Sequence, residues 1–187
     1  FAGASPDSDT SVTDYERCLD LDRAVAFEHY VRNEAKVTRT CFISAPAQGL
    51  VYQIKSTKPF SIFIHCDGAF IREKDYKENH FTLTGICPGR SGLKVIKENK
   101  PEEFLFPEES ELQGVHFIGE GCVTAEGGRA AVSADGILLE HVTGVEIRMA
   151  IRTSFRGFDK AYTEQYSDAQ IHHMLAADLE KLSKPFE

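Results

Sequence analysis

The chain has 187 residues, 42% hydrophobic and 27% charged, enough for one domain with its own core. Its net charge is −8, from 21 basic and 29 acidic residues. That argues against a nucleic-acid or anionic-membrane surface, because phosphate binding needs clustered Lys and Arg and here the cations are dispersed among acids. No apolar run approaches the length needed to cross a bilayer. The opening Phe-Ala-Gly-Ala-Ser-Pro lacks the basic and apolar regions of a signal peptide, and a start at Phe1 implies a missing upstream segment. The five cysteines, Cys18, Cys41, Cys66, Cys87 and Cys122, include no C-x-x-C pair. They read as reduced thiols serving as small hydrophobes, a usage that suits a cytoplasmic setting.

Residues 1–13 are small and polar and read as a loop. Tyr15 to Leu21 is a mixed stretch. Alternation begins at Ala24 to Val31, breaks at Arg32-Asn33-Glu34-Ala35, and resumes from Val37 to Ser44, which predicts an antiparallel hairpin ended by Pro46. Leu50 to Lys55 alternates up to a break at Lys58-Pro59, and Phe60 to Cys66 gives the strongest strand signal of the first half. Lys74 to Asn79 reads as a charged turn, and Phe81 to Ile86 as another strand. Residues 90–113 hold Pro101, Pro107 and an acidic run, a long excursion of the functional or partly disordered kind.

Four further strands are predicted over residues 114–119, 121–126, 130–133 and 137–142. After the turn signal Thr143-Gly144, Val145, Ile147, Met149 and Ile151 alternate with Glu146, Arg148 and Arg152 in a half-buried strand, and Gly157 turns a corner. Roughly ten short strands with no intervening helix predict an antiparallel β-sandwich. The chain then changes character. Ser167 stands three residues before Gln170, a capping-box pattern. Ile171, Met174, Leu175, Leu179 and Leu182 form one helical apolar face, Lys181 and Lys184 suit its C-terminal end, and Pro185 stops it. The expected organisation is a sandwich over 1–160 and a linker carrying an amphipathic helix over 161–187.

None of the reactive residue types falls into a site pattern. The seven histidines, His29, His65, His80, His116, His141, His172 and His173, lack zinc-ligand spacing, and the adjacent pair on the helix points about 100° apart. Glu102, Glu103, Glu108, Glu109 and Glu111 read as a solvated run rather than a catalytic carboxylate pair. Ser154 lacks the G-x-S-x-G elbow of an activated nucleophile. Ser154 and Thr153 are expected to satisfy backbone groups where the strand ends, and Arg152 and Arg156 to clamp a neighbouring carboxylate. No glycine pair has the strand-then-helix context of a phosphate cradle. No catalytic, cofactor-binding or metal residue is assigned.

Three segments resemble glycoside hydrolase family 95: Thr13 to Ala26 (TDYERCLDLDRAVA), Val37 to Gln48 (VTRTCFISAPAQ) and Ala150 to Phe158 (AIRTSFRGF). The family's opening Pro-x-Gly-Asn-Gly stretch is absent, and Arg17-Cys18 stands where the family has Arg-Glu. The resemblance implies the N-terminal β-super-sandwich of an inverting α-L-fucosidase, truncated at its front. The partner would be the protein's own (α/α)6 catalytic barrel, with an oligosaccharide substrate bound by the parent and the 90–113 segment lending a loop to the active-site rim. Exposed strand edges would favour self-association. The alternative is a non-catalytic carbohydrate-binding or structural β-sandwich, although the absence of Trp argues against an aromatic sugar platform.

Overall fold

The computed structural model describes residues 11–68, 70–87, 114–160 and 164–183. Nine strands and one helix follow in order among these residues: β1 (Val12–Asp20), β2 (Val25–Arg32), β3 (Ala35–Ser44), β4 (Gly49–Ile64), β5 (Ile71–Lys77), β6 (His80–Ile86), β7 (His116–Glu126), β8 (Arg129–Ser133), β9 (Gly136–Thr153) and α1 (Asp168–Leu182). The strands form one antiparallel sheet in the order β1-β2-β3-β4-β9-β7-β6-β5, with β8 added to β9. The path is open at β1 and β5 and does not close into a barrel. The expected all-β antiparallel architecture with a C-terminal helix is what the chain adopts.

Two strands are far longer than the sequence pattern suggests. Pairs of predicted short strands merge across Lys58-Pro59 into β4 and across Thr143-Gly144 into β9. At both merges the ladder is irregular: register shifts lie between Lys55 and Phe60 and between Phe60 and Ile62, and His141 has φ of 58°. Such bulges accept a residue with no amide hydrogen, which is why Pro59 does not end the strand. The strands predicted over 114–119 and 121–126 likewise merge into the single strand β7, which starts at His116.

Across the bulges β4 keeps β9 as its partner. The first half of β4 pairs with the second half of β9, Gly49 opposite Ala150 through Lys55 opposite Gly144, and the second half pairs back with Ile137–Val142. The far edge of β9 pairs with β8 from Gly136 to Glu140 and with β7 from Gly144 to Thr153.

Cores form on both faces. One contains Ile64, Tyr76, Phe81, Val123, Ile137, Leu139, Val142 and Val145. The other places Ala47, Val51, Ile118 and Ala150 under Ile171, Leu175 and Leu182 of the helix. Val145 and Ala150 on β9, like Ile118 and Val123 on β7, are five residues apart and therefore face opposite sides. Ile171, Leu175 and Leu182 are each 0% exposed, and burial of such side chains contributes about 1.5–3 kcal/mol each. Ser167 caps the helix as expected: its side chain accepts from the Gln170 backbone, and the Gln170 side chain accepts from the Ser167 backbone.

Other expectations need correction. Tyr15–Asp20, read as a mixed stretch, belongs to β1, whose first six residues are exposed. Lys74 to Lys77, read as part of a turn, belongs to β5 at the opposite edge, with only Tyr76 buried. The predicted loop over 1–13 lies outside the described residues up to position 10, and Val12 and Thr13 are already strand. The excursion over 90–113, its Glu102–Glu111 run and the Lys184 and Pro185 signals also lie outside the described residues.

Gly121 on β7 sits tightly between β6 and β9. A Cβ there would lie 2.3 Å from Phe81 Cζ and 2.7 Å from the Arg148 carbonyl oxygen. The carbonyl belongs to the β7–β9 ladder and cannot move away cheaply. Gly121→Ala is expected to lower stability by about 1–3 kcal/mol, read from the urea midpoint; a midpoint unchanged from that of the native chain would contradict this packing.

Candidate functional site

The polar groups with the most defined geometry gather where β9 ends and the chain turns toward α1. Ser154, one residue past β9, is 1% exposed. Its amide donates to the His116 carbonyl at 2.9 Å, and its carbonyl accepts from the Tyr166 amide at 2.8 Å. Its hydroxyl accepts from the His116 amide at 3.0 Å and donates to Gln165 Oε1 at 2.6 Å. The hydroxyl proton therefore goes to a side-chain amide, which is not a general base. Ser154 fastens the start of β7 to the segment that leads into the helix. This is the backbone-satisfying role expected of it.

Two residues earlier, Arg152 donates from Nε to Asp178 Oδ2 at 2.6 Å and from Nη2 to Oδ1 at 3.0 Å. This fork joins the sheet to the middle of α1. The Asp178 side chain is 3% exposed and that of Arg152 32%, with Lys181 Nζ at 3.7 Å as a second, more distant cation. The hydrogen bonds from Arg152 to Asp178 hold the guanidinium pKa above its ordinary value despite partial burial. The clamp by Arg152 was legible; its partner was missed. The available signal was spacing, because Ile171, Leu175, Asp178 and Leu182 are the buried residues of the helix. An acid at that place in an apolar stripe requires a cation opposite. Arg156 does not join the clamp. Its guanidinium lies 5.3 Å from the centre of the Tyr166 ring.

Beyond the helix, on the same face of the sheet, Gln53 donates to Glu146 at 2.5 Å, and Arg148 Nε rests against Glu146 Oε1 without hydrogen-bond alignment. His172 on α1 contacts Glu120 of β7, a second polar tie between helix and sheet. His29 lies 3.4 Å from Glu16 on the β1–β2 ribbon. The structure thus disperses the histidines, and no group of three potential metal ligands occurs among the described residues.

All five cysteines are free and half-buried. Burial pushes the Cys41, Cys66 and Cys122 thiols up from their ordinary pKa, which keeps them protonated and weakly nucleophilic at neutral pH.

The comparisons correct the expected family. The family model described as "Glycosyl hydrolase family 65, N-terminal domain" matches residues 3–158. A solved structure from the human microbiome, provisionally assigned as a kojibiose phosphorylase, is similar in fold, with a TM-score of 0.60 at 10% identity over 95% of this chain. The chain spans 23% of that structure's length. No curated protein matches. The reading as a family 95 domain of an α-L-fucosidase is therefore overturned, and with it the description of the parent as fucosidase-like. The structure explains how the three segments misled. Thr13 to Ala26 covers most of β1 and its turn, Val37 to Gln48 most of β3 and its turn, and Ala150 to Phe158 the end of β9. All three are strand-and-turn segments of the sheet.

Two tests follow from this geometry. Arg152→Ala strands the Asp178 carboxylate and is expected to cost about 3–5 kcal/mol. Asp178→Ala costs less, because a guanidinium one-third exposed still reaches water; equal or reversed losses in denaturant titrations would contradict the clamp. At neutral pH, iodoacetamide should label Cys41, Cys66 and Cys122 more slowly in the folded chain than in urea, and equal rates by peptide mass mapping would contradict their protected state.

With its match running over 3–158, the chain belongs to the N-terminal domain family of glycosyl hydrolase family 65.

Proposed function

We propose that this chain is an accessory, non-catalytic domain of a family 65 carbohydrate-active enzyme, with a structural role toward a catalytic domain elsewhere in the polypeptide. The family match over 3–158 carries this reading. The residues at the end of β9 support it: Ser154 and the Arg152–Asp178 pair are committed to holding strands and helix together. The reading lies close to the structural alternative considered from the sequence. It assigns no residue of this chain to bond cleavage. The helix belongs to the domain's packing through Ile171, Leu175 and Leu182, and any linker function is secondary to that.

The substrate proposal is narrower. The similar solved structure is named for kojibiose, so a glucose disaccharide is the first substrate to test on the longer polypeptide. The assay compares this chain with that polypeptide at equal molarity on kojibiose, with and without inorganic phosphate. Turnover by the longer polypeptide alone is expected, and dependence on phosphate would identify a phosphorylase. Turnover by this chain alone would overturn the accessory role.

A further inference from the structure

The end of β9 carries one surface that the domain's own packing does not use. Phe158 is 100% exposed and Phe155 is 45% exposed. Their rings meet edge-to-face, 5.0 Å between centres and 70° between planes. This geometry is favourable for an aromatic pair and holds Phe158 outward in a defined position. Gly157 between them has φ of 122°, a conformation that a side chain would disfavour. The two rings flank a cleft of about 160 Å³, lined also by Val115, Arg156, Lys160 and Gln165.

The polar groups around the cleft indicate what it takes. The Arg156 guanidinium lies over the Tyr166 ring, Lys160 is 3.4 Å from Asp159, and the Gln165 carbonyl oxygen accepts from Ser154. These groups are already engaged within the domain, and the remaining polar residue of the lining, Glu164, is exposed to solvent. A sugar site needs several convergent donors and acceptors, and the volume is below the roughly 300–1,000 Å³ typical of small-molecule pockets. The cleft thus offers apolar aromatic area beside an arginine, the composition enriched at the centres of protein interfaces, with the Glu164 carboxylate at its rim.

We propose that Phe155 and Phe158 form a docking point for the rest of the family 65 polypeptide, which would present an apolar pocket to Phe158. This rests on the accessory role proposed above. The occupant follows from the comparisons: the family is one of N-terminal domains, and the chain covers 23% of the similar structure, so most of such a polypeptide lies outside this domain. The site sits where the sheet hands the chain to the helix, on a segment fastened to β7 through Ser154.

Hydrogen exchange by mass spectrometry tests this on the isolated chain and on the longer polypeptide, each with and without Phe158→Ser. Amides of residues 154–160 should exchange about tenfold or more slowly in the longer polypeptide. Phe158→Ser should return them toward the isolated-chain rate there, and should lower the melting temperature of the isolated chain only slightly, because the exposed ring contributes no more than its edge contact with Phe155. Equal exchange in the two native proteins would overturn the proposal. A large loss of isolated-chain stability on Phe158→Ser would do so too, as would protection of this segment in the isolated chain by kojibiose. Exchange is read without reference to turnover. A longer polypeptide that docks here but is inactive on kojibiose would count against the substrate proposal and leave this one standing.

Discussion

The eighteen residues of β9 must satisfy hydrogen bonds along both edges at once, and most of the architecture follows from how they do so. On one edge β4 runs the whole length, crossing the irregular stretch between Lys55 and Ile62. On the other, no single strand continues past the turn at Gly127 and Gly128, so β8 serves the first half and β7 the second. An unpaired amide in the interior is costly, and this division leaves β9 paired on both sides for nearly its full length. The positive φ at His141 shifts the alternation, so that Ile137 and Leu139 before it and Val142 after it enter the same core.

The two faces are then closed by different means. One is covered by the sheet itself, through side chains from β4 to β9. The other is covered by α1, which rests on β9, β7 and β4. Apolar burial supplies the adhesion of the helix, and the Arg152–Asp178 fork supplies its register. A buried pair of this kind adds little net stability compared with an apolar substitute, yet it penalises every docking position that separates the charges. Glu120 and His172 reinforce that position from the next strand. By contrast, β1 and β2 extend the sheet past the helix, and their residues stay exposed or half-buried.

This division explains what could be read from the chain. Val145 to Ile151 is half-buried on both sides of its pleat and shows its period. The helix shows its capping box and its apolar stripe. β1 and β5 did not declare themselves, because an edge strand wetted on its faces has no reason to alternate: Arg72, Glu73, Lys74 and Asp75 sit in a strand with Tyr76 as their buried neighbour. Pro59 and Gly144 signalled breaks that the bulged ladder absorbs. At the candidate site, Ser154 and the arginine clamp were legible from residue type and position. Asp178 was not, because its partner lies 26 residues earlier and only the fold brings the two together. Family identity was harder still, since the segments that suggested family 95 encode strands and their turns.

The pairing of β4 with β9 also governs how the chain can fold. Gly49 stands opposite Ala150, so the middle of the sheet is a contact between distant parts of the sequence. Loop closure of that span must precede the reward of pairing, which makes folding slow by topology. During synthesis, β1 to β4 emerge long before β9 and have only their local hairpins to hold them. Leu19, Leu21 and Ile43, exposed even in the finished domain, are then accompanied by the bare flank of β4. The interval before β9 leaves the ribosome is thus the period in which a nascent chain is most open to mispairing with its neighbours and most dependent on chaperone cover.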